Sequence, residues 1–153
     1  MLFASHKLSW TPLYILLVYL IIKKKGKESI WILASIGLVI ACSDMGSVHL
    51  FKNTFQRLRP CHFLDEVRLV SERCGGQYGF ISSHASNVFG LAVVVGKLIN
   101  KKILFVALFI WAAGVAYSRV YLGVHYPLDI LGGMLWGTFV ALIIVSLYKK
   151  NRT

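Results

Sequence analysis

A few polar residues stand out from an otherwise apolar chain, and their types and spacing suit one kind of chemistry. His125 and Asp129 are four residues apart, so on a helix the carboxylate reaches the ring. A carboxylate on one imidazole nitrogen fixes the tautomer and leaves the other nitrogen free to attack. Arg119 precedes them in the same segment, residues 118–129. A second segment, residues 80–86, places Ser82 or Ser83 to cap a helix, whose first-turn amides form an anion site. His84 then sits beside that anion, where it can protonate a leaving oxygen; the alternative is a structural histidine. In a third segment Lys52 and Arg59 are seven residues apart, nearly two helical turns, which puts both cations on one helix face. They repel each other unless an anion lies between them. A phosphate fits, because Arg offers its oxygens a planar fork and Lys a point charge. The alternative is a solvated basic end.

Together these residues supply three cations, a helix N-terminus, a nucleophile with an orienting carboxylate, and a second histidine. That set suffices for phosphoryl transfer through a phosphohistidine. No Cys, His or carboxylate cluster suggests a metal, and no cofactor is implied; three fixed cations can neutralise the charge a metal would otherwise neutralise. Asp44 lies about two turns before Lys52, where it can pair with Lys52 or with a neighbouring helix. Gln77 and Tyr78 are placed to touch the substrate headgroup.

The elements that must hold these residues are membrane helices. Of 153 residues 57% are hydrophobic and 15% charged, against roughly 25% charged in soluble domains. Mean hydropathy is +0.67. Uncharged runs cover residues 8–22, 29–43, 85–96, 103–118 and 130–148. A crossing takes about 20 mostly apolar residues. Only the last run comes close unaided, but a soluble domain of this size could not bury all five. The expectation is an all-α polytopic bundle with about five transmembrane helices, forming one domain over residues 1–153 with a loop at about 52–82.

The net charge is +11, which raises the question of nucleic acid. Its placement answers otherwise. Lys23, Lys24, Lys25, Lys27, Lys97, Lys101, Lys102, Lys149, Lys150 and Arg152 all fall on one side of a five-helix arrangement. That is the positive-inside pattern, and the partner it indicates is the bilayer. The three chemical segments then face away from the cytoplasm, as does the N-terminus. No signal peptide is visible at residues 1–7. Cys61 and Cys74 lie in the outer loop, where an oxidising compartment permits a disulfide; the alternative is two free thiols. Pro60 ends any helix at that point. The stretch 61–79 is the one sizeable loop and is placed to cap a site. Helix three is expected to begin near residues 82–86, and helix five near Tyr126 and Pro127, with Pro127 as its first helical residue. Gly114, Gly132, Gly133 and Gly137 permit close helix packing.

At these residues the sequence resembles the type 2 phosphatidic acid phosphatase (PAP2) superfamily, in its membrane lipid phosphatase branch. Lys52, six residues, then Arg59-Pro60 matches the first family motif, and Ser118-Arg119, five residues, His125, three residues, Asp129 matches the third. The second, Pro-Ser-Gly-His in the family, reads Ile81-Ser82-Ser83-His84. The resemblance implies that His125 attacks phosphorus, Asp129 holds it, and His84 protonates the leaving oxygen. It implies that Lys52, Arg59, Ser82 and Arg119 bind the phosphate with help from Ser83, and that water releases it. The family resembles six-helix bundles with three helices before the Lys motif. This chain has two, so the first helix is expected to be lacking. The implied protein is a phosphatase of the bacterial inner membrane, acting towards the periplasm or exterior. Its candidate substrates are undecaprenyl diphosphate, phosphatidylglycerol phosphate, phosphatidic acid and lipid A 1-phosphate. The alternatives are a non-catalytic lipid-phosphate carrier, which would not need the His125–Asp129 pair, and a vanadate-dependent haloperoxidase, a class whose members are soluble.

Overall fold

A computed structural model of the chain describes residues 1–64, 69–70 and 74–151. Part of the outer loop, residues 65–68 and 71–73, and the positive charge counted at Arg152 lie outside the described residues. Among the described residues the regular elements are all helices. The helices are α1 (Leu2–Ser5), α2 (Thr11–Lys25), α3 (Ser29–Gly46), α4 (Asn53–Phe55), α5 (Pro60–Phe63), α6 (Ser83–Ile99), α7 (Lys102–Tyr121) and α8 (Pro127–Lys150). A π-helical stretch, Ser47–Lys52, joins α3 to α4.

The long helices start and stop where local chemistry dictates. Ser82 caps α6, its Oγ accepting from the Ala85 amide at 3.4 Å. Asn100, at φ 54°, closes α6 in the left-handed conformation. Pro127 opens α8 with a fixed φ and no amide to leave unpaired. α6 is the central helix: Ala85, Ala92, Val94 and Val95 are fully buried, and it packs against α3, α7 and α8. α8 lies closest. A Cβ on Gly137 would come within 2.0 Å of the Ser86 carbonyl, and one on Gly133 within 2.5 Å of that of Ser82, so these glycines allow the approach that the sequence predicts. Gly114 does not share that role; nothing lies within 4 Å of its would-be Cβ.

The outer faces of the bundle remain apolar. Ile15, Trp31, Leu38, Ile110, Leu135 and Leu147 are all exposed. Soluble monomers do not carry such surface on every side, and here it faces lipid: the chain is a membrane protein. By length and composition three stretches among the described residues are able to cross a bilayer, namely Leu8–Phe55 (48 residues), Lys102–Tyr121 and Pro127–Lys150. The first folds as two helices, α2 and α3, divided by a 3-10 turn at Gly26–Glu28. α6, at 17 residues, is apolar but shorter. The lysine-rich ends of α2 and α6 meet, since Lys24 Nζ donates to the Ile99 carbonyl at 2.5 Å. α3 begins beside the end of α8, where Trp31, Leu147, Tyr148 and Asn151 line one groove.

Candidate active site

The site lies at the opposite end of the bundle, where α3, α6, α7 and α8 present the three polar segments. His125, in the turn before α8, and Asp129, in the first turn of α8, come together as their spacing predicts. His125 Nδ1 lies 3.2 Å from Asp129 Oδ2, and both are buried. The same Oδ2 accepts from the Tyr126 amide at 2.8 Å, so the carboxylate is fixed by the helix that carries it. An ionised carboxylate on Nδ1 selects the tautomer with its proton there, which leaves the Nε2 lone pair unprotonated. Burial pulls His125 down to about 4 from its ordinary 6.5; the Asp129 hydrogen bond opposes this, and the charges of Arg59 and Arg119 add to it. The ring is therefore neutral at pH 7.

Arg59 lies in front of that lone pair. Its Nη1 sits 2.9 Å from His125 Nε2 and donates to the Val124 carbonyl at 3.1 Å. Its Nε donates to the Gly76 carbonyl at 2.6 Å, and its backbone amide to Gln77 at 3.2 Å. The guanidinium is thus fastened between the loop before α6 and the loop before α8. The loop folds back along residues 57–59: the Gly79 amide donates to the Arg57 carbonyl at 2.8 Å. A Cβ on Gly79 would lie 3.2 Å from Asp129 Oδ2 and 3.3 Å from Arg59 Cγ. A disulfide between Cys61 and Cys74 joins the two arms of this loop. Gln77 and Tyr78 contribute by holding that return, through the Arg59 amide and a bridge to Leu58. They are not among the residues that line the cavity.

One expectation fails in its detail. Lys52 and Arg59 do not share a helix face. The helix stops at Phe55, Gln56 turns the chain with φ 45°, and Pro60 holds Arg59 extended at ψ 155°. The two cations meet across a turn instead, and both line a cavity of about 470 Å³ together with Ser83 and His84. Lys52 Nζ donates to Ser83 Oγ at 2.8 Å, and Ser47 Oγ is 2.5 Å from the same atom. Ser83, where the motif has Gly, is therefore the serine that meets the cation. Ser82 is fully buried as the cap of α6, and its amide donates to the Asp129 carbonyl at 3.0 Å, which ties the start of α6 to the start of α8. Arg119 is not among the residues that line the cavity; its Nη1 donates to Ser5, which does line it.

Three contributions are not visible in the motif reading. Residues 4–6 form one wall of the cavity. Ser47 braces Ser83. Arg57 pairs with Asp129 through the oxygen that His125 does not use, and its guanidinium lies 4.9 Å from the ring centroids of both Phe80 and Tyr126. A signal for Arg57 did exist. The residue before a proline is extended, and in an extended chain residues two apart point the same way, so Arg57 shares the direction of Arg59.

The chain is similar to known proteins in sequence and in fold. The chain is 36% identical over 155 residues to a lipid A 4'-phosphatase of Porphyromonas gingivalis, covering 97% of this chain and 65% of that protein. It is 32% identical over 138 residues to an undecaprenyl-diphosphatase of Sulfolobus acidocaldarius, covering 90% and 63%. The chain thus spans somewhat under two thirds of the length of these relatives. A crystal structure of a transmembrane PAP2 type phosphatidylglycerolphosphate phosphatase from Bacillus subtilis has the same fold, with a TM-score of 0.71 at 24% identity, covering 95% of this chain and 72% of that one. The family model described as the PAP2 superfamily matches residues 28–153. With all three motif segments gathered at one end of a helical membrane bundle, and with that match over most of its length, the chain belongs to the PAP2 superfamily.

Proposed function

We propose that the protein is a membrane phosphatase that hydrolyses a phosphomonoester or diphosphate carried by a lipid, through a phosphohistidine at His125. The observation that carries this reading is the buried relay Asp129–His125–Arg59, whose far end opens on a cavity shared with Lys52, Ser83 and His84. A binding or carrier protein needs the cations but gains nothing from a histidine buried in its neutral form and oriented by a carboxylate.

In this account the phosphate enters between Lys52, Arg59 and the first-turn amides of α6, and takes up the hydrogen bond that Arg59 now gives to His125. Nε2 attacks phosphorus opposite the leaving oxygen. The N–P bond forms, the P–O bond breaks, and His84 gives its proton to the departing alkoxide. Asp129 holds the Nδ1 proton and stabilises the charge that develops on the ring. Water then attacks phosphorus, His84 takes its proton, the N–P bond breaks and returns its electron pair to Nε2, and orthophosphate leaves. Lys52, Arg59 and Arg119 carry the negative charge throughout. The relatives' names, a lipid A phosphatase and a prenyl diphosphatase, support a lipid-borne phosphate as substrate. The basic ends support a site facing the periplasm or exterior of a bacterial inner membrane.

The test is phosphate release from lipid substrates by purified protein in detergent with EDTA present. The account expects activity in EDTA and a loss of at least about 10³-fold in His125→Ala. Full activity in that variant, or complete loss in EDTA, contradicts it.

A further inference from the structure

The cavity carries one polar feature that phosphoryl transfer does not use. Asp44 of α3 and Asn87 of α6 both line it, and Asn87 Nδ2 donates to Asp44 Oδ1 at 3.5 Å. A carboxylate here works against phosphate binding, and within a membrane helix it is costly. Asp44 is exposed and lines this cavity, and Lys52 gives its ammonium to Ser83. Asn87 Oδ1 is buried without a hydrogen-bond partner. The carboxylate and its amide partner therefore stand in a cavity otherwise equipped with donors for phosphate.

Their depth in the bundle says what they meet. Asn87 is three residues after His84 on α6, one turn further in on the same face. Asp44 is eight residues before Lys52, about two turns further in. Apolar Ile40, Val88 and Val115 line the same cavity. A lipid whose phosphate lies on Lys52 and Ser83, and whose tail leaves towards the bilayer, must pass its alcohol part along this stretch.

We propose that Asp44 and Asn87 form a headgroup subsite that selects lipid phosphates whose alcohol part carries a hydroxyl or amide N–H next to the phosphate, as sugar and glycerol headgroups do. The subsite rests on the phosphatase reading above and narrows it. A hydroxyl or amide donor satisfies the carboxylate. A prenyl or fully esterified alcohol leaves it against hydrocarbon, stripped of water and unpaired. Sites built to hydrogen-bond a donor discriminate strongly against analogues that lack it.

The experiment compares kcat/KM on four purified lipids in detergent. Lipid A 1-phosphate and phosphatidylglycerol phosphate carry such donors; phosphatidic acid and undecaprenyl diphosphate carry none outside the phosphate. The wild type is expected to favour the first pair by about tenfold or more, as a hydrogen bond to a charged group allows. Asp44→Leu is expected to bring that ratio close to one. Each ratio is taken on a single sample, so loss of folded protein cancels. Where Asp44→Leu does not fold, Asp44→Asn and Asn87→Leu read the same ratio, expected to fall severalfold. A wild type that favours the donor-free pair, or a ratio untouched by these variants, overturns the subsite and leaves the phosphatase standing. Release of phosphate from none of the four by the wild type overturns the phosphatase reading and the subsite with it.

Discussion

His125 is held from both sides, and its protonation decides whether it can attack. With the ring pulled down to about 4, Nε2 keeps its lone pair across the neutral range and loses it only as pH falls through that value. The acid limb of kcat/KM is therefore expected well below the ordinary histidine 6.5, close to 4. Arg57 governs this through Asp129. Without its guanidinium the carboxylate charge falls more fully on His125, which favours the protonated ring. Arg57→Ala is expected to shift the acid limb upwards and to lower kcat about 10- to 100-fold by loosening the relay, with Arg57→Lys recovering part of both. A loss of activity with an unmoved limb would reduce Arg57 to a packing residue. The His125–Asp129 contact was legible because a spacing of four across the start of a helix keeps the two side chains within reach, even though His125 itself precedes Pro127. The division of labour between Ser82 and Ser83 was not, because a capping side chain turns into its own helix while its neighbour faces the cavity.

The site depends on how closely α6 and α8 approach, because Ser82 and Asp129 hydrogen-bond across that contact. Gly137 sets the distance: a methyl there meets the Ser86 carbonyl at 2.0 Å, and backbone cannot step aside as a side chain can. Gly137→Ala is expected to destabilise the protein by about 1–3 kcal/mol through overpacking and to reduce activity in the fraction that folds, measured as a lowered Tm in detergent together with a lowered kcat. A variant as stable and active as the wild type would mean that the two helices are not held at this distance. The positions of the long helices could be read from capping residues and apolar runs. The connection from Lys52 to Arg59 could not, because a spacing of seven fits a helix equally well and the left-handed turn at Gln56 carries no glycine to announce it.

At the scale of the whole molecule, apolar outer faces place the bundle in a bilayer, with the cavity at the end opposite the lysine-rich ends of α2, α6 and α8. Orientation is open to direct labelling. A cysteine at Phe63, exposed at the end of α5, is expected to react with an impermeant maleimide added outside whole cells. A cysteine at Asn151 is expected to react only after the cells are opened; the reverse pattern would turn the molecule over. That the chain is a helical membrane protein was legible from hydropathy, and its five apolar runs fall in α2, α3, α6, α7 and α8. α2 and α3 run through one long apolar stretch, and α6 is short for a span because its neighbours bury it. The contribution of residues 4–6 to the cavity wall was hidden for a different reason, since a short helix before the first apolar run shows no periodicity of its own. The whole arrangement converges on one atom, Nε2 of His125. The most direct measurement is rapid alkaline quenching during turnover, followed by mass spectrometry of the protein. The account predicts a phosphoryl group on His125, attached at Nε2 and absent from His125→Ala. Turnover with no covalent phosphate on the protein, or with phosphate on another residue, would contradict it.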